Sequence, residues 1–210
     1  NPENTVIGSR ALGSDQKTVS ELGISEMKGM AERGIIPVIK HFPGHGDTST
    51  DSHLELPVIT HSKDRIDVIE SFPFRYLNEL GIFGMMSAHL SVPALDPSDL
   101  PASVSPKIIN GYLREEIGFN GLVFTDAINM KGVQKANRSI EVEALKAGND
   151  VVVFVPDMQR AINSVKQAVA NGEISLDEIE NKCSRVLAMK RWIGLHLYKT
   201  IVTEDLQARL

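Results

Sequence analysis

One cysteine, Cys183, stands in the whole chain of 210 residues. That excludes an intrachain disulfide and a cysteine-based zinc site. Its place in a helical pattern, with no electropositive neighbourhood in the sequence around it, predicts a buried structural thiol rather than a nucleophile. No apolar run approaches the ~18 residues that a membrane-spanning helix needs. Basic residues are not in excess: 22 Lys and Arg against 27 Asp and Glu leave a formal charge of −5. No basic face is therefore available to neutralise phosphates, and nucleic acid is not an expected partner. The chain opens on Asn1-Pro2-Glu3, without the charged and then apolar leader of a secretion signal. Glycine-rich signatures are missing too. No Gly-x-Gly-x-x-Gly follows an apolar run, no Gly-Lys-Ser/Thr is found, and Ser52 is not set in a Gly-x-Ser-x-Gly elbow. A dinucleotide fold, a P-loop and a serine hydrolase each lose their main support.

What is there is a core-forming composition, 42% hydrophobic and 23% charged, ordinary for a globular domain with room for a sizeable core. Four short apolar runs read as buried strands: 35–39, 82–87, 121–125 and 150–155. They are rich in Val, Ile or Phe and lack the alternation of a half-exposed sheet. Helical patterns separate them. Residues 16–33 set Val19, Leu22, Met27 and Met30 at helical spacings before Gly34. Residues 64–80 carry Ile66, Ile69, Phe72, Tyr76 and Leu80, interrupted by Pro73. Ser105-Pro106 is an N-cap and first-turn pair for a helix to about Ile117, and Ser139 to Ala147 ends at Gly148. Ser175-Leu176-Asp177-Glu178 is a capping box opening a helix to about Leu195. Strand followed by helix, repeated, predicts an α/β fold with a parallel sheet. Long loops after the first two strands fit the C-terminal face of a (β/α)8 barrel, where active sites are built.

The densest chemistry is Lys40-His41-Phe42-Pro43-Gly44-His45-Gly46-Asp47, followed by Asp51-Ser52-His53. Three of the six histidines fall within thirteen residues, directly after a predicted strand. Pro43, Gly44 and Gly46 force an irregular loop. Two general readings compete there. His41, His45 and His53 with Asp51 have the ligand chemistry of zinc, although a Pro-Gly loop does not put His41 and His45 on one helix face. Glycine amides could cradle an anion, although no helix start follows.

Lys40 to Gly46 with Asp51-Ser52-His53 resembles the KHFPGHG(x)4DSH signature of family 3 β-N-acetylglucosaminidases, fixing ten positions across fourteen residues. Val6 to Arg10 resembles the segment after the fourth strand of that family's barrel. Ser87-Ala88-His89 with Val92 to Asp96 resembles the end of its sixth strand. Gly121 to Gly132 resembles its seventh strand and catalytic loop, and Ala147 to Asp150 leading to Pro156 its eighth. The resemblance runs over residues 1–195.

It implies a (β/α)8 TIM-barrel fold of which the chain holds strands 5–8 with their helices, over residues 1–197, and 198–210 as a linker or the start of a further segment. It implies a retaining exo-β-N-acetylhexosaminidase working through a glycosyl-enzyme intermediate. Asp126 would be the nucleophile, at a strand end where a barrel presents reactive groups. Its plain structural alternative is capping of the segment that follows. His53 would be general acid/base and Asp51 its orienting partner, as in a His–Asp dyad. A histidine titrating near ~6.5 can give and take a proton near neutral pH without a raised carboxylate pKa. Arg10, Lys40 and His41 would bind sugar hydroxyls, and His89 would line the pocket floor or be a satisfied buried histidine. His45 and Asp47 would shape the loop. No metal or organic cofactor is implied.

The implied partners are β-linked N-acetylglucosamine oligosaccharides or muropeptides, with either the missing N-terminal half-barrel or a second copy covering the sheet edges. Bacterial cytoplasm and periplasm or cell envelope both fit. A sugar-binding carboxylate of the family's third-strand region lies outside this chain. The competing functions are a catalytically incomplete sugar-binding or assembly fragment, a β-glucosidase, and a phosphorolytic relative.

Overall fold

A computed structural model describes residues 1, 3–4, 7–48, 56–130, 133 and 139–197. Its frame is one sheet of four strands, β1 (Val38–Phe42), β2 (Gly84–Ser87), β3 (Leu122–Ala127) and β4 (Val151–Val153), in the order β1-β2-β3-β4. The strands are parallel, with Lys40 level with Met86 and Met86 level with Phe124. Parallel neighbours need helical crossovers. These are α2 (Lys63–Arg65), a π-helical stretch Ile66–Glu70 and α3 (Phe72–Glu79) between β1 and β2, then a π-helix Lys107–Glu116, then α4 (Ile140–Ala147). Helix α1 (Gln16–Glu32) precedes β1, and α5 (Met158–Ala170) and α6 (Leu176–Trp192) follow β4. This is the sheet-and-helix layering of a TIM-barrel-type α/β fold.

The sheet has two unlike faces. Met85, Ser87, Val123 and Thr125 are fully buried beneath the helices. They join a core of Phe42, Leu90, Ile108, Ile109, Leu113 and Phe119. Phe42 makes an edge-on contact with Phe74 at 5.4 Å and lies 5.9 Å from Tyr112. Residues one step out of phase, among them Lys40, Met86 and Phe124, occupy the opposite face, which is only partly covered. Gly84 belongs to that face. A Cβ there would meet Val38 Cγ2 at 2.9 Å and Phe124 Cε2 at 3.4 Å.

Several boundaries differ from the sequence reading. β1 begins at Val38 rather than Ile35, which is 55% exposed. The apolar run is longer than the part that pairs with β2. β4 stops at Val153 because Phe154 takes a left-handed φ of 54° and turns out to solvent. Ile24 and Met27 make the inward contacts of α1, whereas Leu22 is exposed. Helix α5 is absent from the sequence reading, although Asp157 caps it by accepting from Arg160 N and Ala161, Val165 and Ala168 repeat at helical intervals. Cys183 is exposed, against the expectation of burial. Lys182 takes the inward place on α6, and the next residue is rotated by about 100°. Ser105 caps its helix as expected, accepting from Ile108 N at 3.2 Å. The stretch 198–210 lies outside the described residues.

At the N-terminal end of the sheet, Asp150 ties three elements together. Its fully buried carboxylate accepts from Arg114 Nη2 (2.7 Å), Arg185 Nε (2.8 Å) and the backbone N–H of Val123 (2.8 Å). Removing the acid leaves Arg114 and Arg185 without their buried counter-charge and the Val123 N–H without its acceptor. Asp150→Ala is expected to lower unfolding free energy by about 3–5 kcal/mol, read as a fall in the urea midpoint. Lys17→Ala, which removes an exposed 3.9 Å pair with Glu21, should leave the midpoint within about 0.5 kcal/mol of the starting value.

Candidate active site

Two strand ends meet at the C-terminal edge of the sheet. The pairing register slips between Lys40 and Phe42 in β1, and again between Phe124 and Ala127 in β3. His41 and Asp126 sit at those slips, and such irregularities re-aim side chains at the rims of barrels. His41 Nε2 lies 3.7 Å from Asp126 Oδ2. Asp126 also accepts from the N–H of Ala127 through Oδ1 at 2.8 Å, and its side chain is 19% exposed. One carboxylate oxygen is thus locally tied, and the other faces His41.

His41 is buried, and burial pushes its imidazole down to about 4 from the ordinary 6.5. The Asp126 carboxylate opposes that shift, while Lys40, His45 and Arg10 reinforce it. Arg10, Lys40 and Asp126 each lie within electrostatic reach of His41. Arg10 ends a short 3-10 turn, Gly8–Arg10, and Lys40 is exposed on the uncovered face. The predicted sugar-binding cations and the predicted nucleophile are thus all grouped about His41. Asp51 and His53 lie outside the described residues.

His89 stands behind this edge at 1% exposure. Its Nε2 lies 3.1 Å from the carbonyl of Ala127 and its Nδ1 lies 2.7 Å from Ser103 Oγ. A carbonyl only accepts, so Nε2 carries the proton and Ser103 donates to Nδ1. Burial keeps the imidazole neutral by lowering its pKa. Both ring nitrogens are thus spent on the protein, as in the satisfied buried histidine of the sequence reading. The chain of bonds continues inward. Asn149 Nδ2 donates to the carbonyls of Ser103 (2.7 Å) and Ala144 (2.8 Å), and Ser87 Oγ donates to Asn149 Oδ1 (2.7 Å).

The loop after β1 is held from several sides. Ser71 donates to the carbonyl of Pro43 at 3.0 Å. His45 pairs with Thr48 at 2.9 Å. Asn4, not singled out in the sequence, is 2% exposed and donates to the carbonyl of His45 at 2.7 Å. It anchors the segment carrying Arg10 against the histidine loop. No sequence signal marked it, because a lone Asn in an irregular stretch reads as a turn residue.

Among the described residues, Asp47, His61 and Glu70 bring three metal-ligating atoms within 4.8 Å of one another. Arg65 already donates to both carboxylates, at 2.9 Å to Asp47 and 3.2 Å to Glu70. The cation of that cluster is the guanidinium. A groove lined by Arg114, Lys182 and Arg185 lies at the opposite end of the strands, beside Asp150.

The burial of His41 makes stability depend on pH. Between about 6.5 and about 4 the unfolded chain binds a proton that the folded chain refuses, so the contribution is whole above 6.5 and declines as pH falls toward 4. The loss is expected to be about 3 kcal/mol at most. Urea midpoints measured across that window should fall with pH, and His41→Gln should flatten the fall. Asp47, Asp67 and Asp96 have carboxyls held below 3.8 and contribute at lower pH.

Comparison with known proteins places this geometry. The model of the glycosyl hydrolase family 3 N-terminal domain matches residues 1–189. A β-hexosaminidase of Nitrosospira multiformis is 38% identical over 161 residues, which cover 76% of this chain and 46% of that protein. The structure of a family 3 β-N-acetylglucosaminidase from Paenibacillus sp. is 35% identical, with a TM-score of 0.92 over 98% of this chain and 40% of that one. A β-glucoside phosphorylase, BglX, is 27% identical with a TM-score of 0.92, over 97% of this chain and 39% of that one. The chain spans about 36–50% of the length of such curated relatives. The chain belongs to glycoside hydrolase family 3, within its N-terminal, TIM-barrel-type domain.

Proposed function

We propose that the protein carrying this chain is a retaining exo-β-N-acetylhexosaminidase that removes terminal β-linked N-acetylglucosamine, from oligosaccharides or muropeptides. The observation that carries the reading is the approach of His41 to Asp126 at one sheet edge, in a chain that shares the Lys40–His53 signature. Asp126 attacks the anomeric carbon through its carboxylate. The bond to the aglycone oxygen breaks, and His53, oriented by Asp51, protonates the departing oxygen. Water then attacks the same carbon, His53 takes its proton, and the ester to Asp126 breaks. Histidine replaces the second carboxylate of the usual pair. Lys40 and Arg10 hold sugar hydroxyls as donors. His41 has little tendency to be charged and serves as a neutral hydrogen-bonding group. His89 holds the Ala127 carbonyl and so steadies the strand end beneath the nucleophile.

The chain is read as strands 5–8 of the barrel across 1–197, with 198–210 leading onward. The partly covered sheet face, and outer edges of β1 and β4 that pair with no further strand among the described residues, support that reading. A first half-barrel, or a second copy of the chain, covers them. Alone, the chain is then an incomplete catalyst. A second reading is phosphorolysis, favoured by the likeness to BglX. A neutral histidine repels a phosphate acceptor less than a carboxylate would, so phosphate could take the place of water at the second step.

In the full-length protein, a fluorosugar is expected to leave a covalent adduct on Asp126, located by peptide mass spectrometry. Asp126→Ala should abolish release from an aryl β-N-acetylglucosaminide; an unchanged rate removes the nucleophile assignment. Sugar phosphate formed when phosphate is supplied would establish the second reading. The isolated chain should run in size exclusion with light scattering as a dimer or larger, and a well-behaved monomer of 23.0 kDa would overturn the half-barrel reading.

A further inference from the structure

Asn4 is buried, and the two ends of its side-chain amide hold different parts of the site. Its Nδ2 donates to the carbonyl of His45 at 2.7 Å, forty-one positions along the chain. Thr48 Oγ1 at 3.2 Å and the Gly46 carbonyl at 3.3 Å are also within its reach. Its Oδ1 accepts from the N–H of Ile7 at 2.9 Å. From there the bonds lead to Arg10. The Asn4 carbonyl accepts from Gly8 N–H (2.9 Å) and the Ile7 carbonyl from Arg10 N–H (2.8 Å). Gly8 supplies the φ of 35° that this turn requires. On the loop side, His45 Nδ1 lies 2.9 Å from Thr48 Oγ1, and its ring meets the His41 ring edge-on at 5.8 Å. His41 in turn faces Asp126. One amide therefore stands between the turn that carries Arg10 and the loop that carries His41.

We propose that Asn4 is a positioning residue for sugar binding, which fixes the Arg10 turn against the His41 loop so that both meet the substrate at a set spacing. The proposal rests on the assignment of Arg10 and His41 to the sugar that Asp126 attacks. The turn Gly8–Arg10 is a three-residue 3-10 segment with none of its residues buried. Apolar packing does not hold it, and the bonds through Asn4 supply that hold. The amide suits both tasks at once. A carboxylate would accept from Ile7 but bring no proton to His45, and an aliphatic side chain would do neither. Both bonds lie out of water, where solvent does not replace a missing donor. Misplacing a binding group by about 1 Å can cost roughly a hundredfold in rate. The competing role is purely structural: a buried amide that supports the fold and affects catalysis only through stability.

A double-mutant cycle separates the two roles. In the full-length protein, Asn4→Asp keeps the acceptor for Ile7 and removes the donor to His45. Its kcat/KM for an aryl β-N-acetylglucosaminide is expected to fall about ten- to a hundredfold while the variant is folded. Its affinity for N-acetylglucosamine, read by calorimetry, should weaken about tenfold. In an Arg10→Ala background, where the turn has no group left to position, the same substitution should cost no more than about threefold in either measurement. Asn4→Ala, which removes both bonds, carries the same expectations should Asn4→Asp fail to fold.

Two results would overturn the positioning role. One is wild-type kcat/KM and affinity in a folded variant. The other is a loss as large with Arg10→Ala as without it, which would leave Asn4 a structural residue. Arg10→Ala alone with wild-type kcat/KM and affinity would take Arg10 out of the sugar site, and the proposal with it. A wild-type protein that neither binds N-acetylglucosamine nor releases the aryl aglycone would remove the substrate assignment itself, before any variant is compared.

Discussion

The parallel register of β1, β2 and β3 is the constraint on which the remaining geometry depends. Lys40, Met86 and Phe124 stand level across three strands, so the strands end together and their following loops share one edge. Because one face is packed against helices, a slip of one residue would move Met85, Ser87, Val123 and Thr125 out of the core. The register is therefore locked by burial. With it locked, His41 and Asp126, which are eighty-five positions apart in sequence, come within 3.7 Å.

Polar groups do for the edge what apolar groups do for the sheet. The run from Ser87 through Asn149, Ser103 and His89 to the carbonyl of Ala127 links four separate segments, and each contact joins groups that burial would otherwise leave unpaired. At the other end of the strands Asp150 performs a similar task with charge, holding Arg114 and Arg185. A strand end fixed at both levels holds the Asp126 carboxylate in place beside His41. The loop after β1 is secured by different means: a close backbone contact at Gly44, a side chain at Asn4, and a charged cluster at Asp47, His61 and Arg65.

Legibility in the sequence followed the physical strength of each signal. Strands rich in Val, Ile, Phe and Met were readable as short apolar runs, although only one face of the sheet is packed beneath helices. Their ends were not, since Ile35 and Phe154 are as apolar as their neighbours yet lie beyond the pairing. The capping box at Ser175 before α6 stood out, while α5 was passed over although Asp157 caps it and Ala161, Val165 and Ala168 line its inward face. Cys183 shows the limit of composition. Its helix is correctly placed, but one step of rotation decides between core and solvent.

The sequence by itself determined the chemistry on offer: the histidine-rich loop, the Asp126 strand end, and the family signature that joins them. These are local features, set by residue types at fixed spacing. Only the tertiary structure decided which of them meet. It turned both nitrogens of His89 inward, buried His41 enough to keep it neutral, and joined Asp47 to His61 and Arg65 around the base of a loop. Such outcomes depend on desolvation and on distances between remote segments. Neither is written in any short stretch of chain, because both arise only when the register and the packed face have been set.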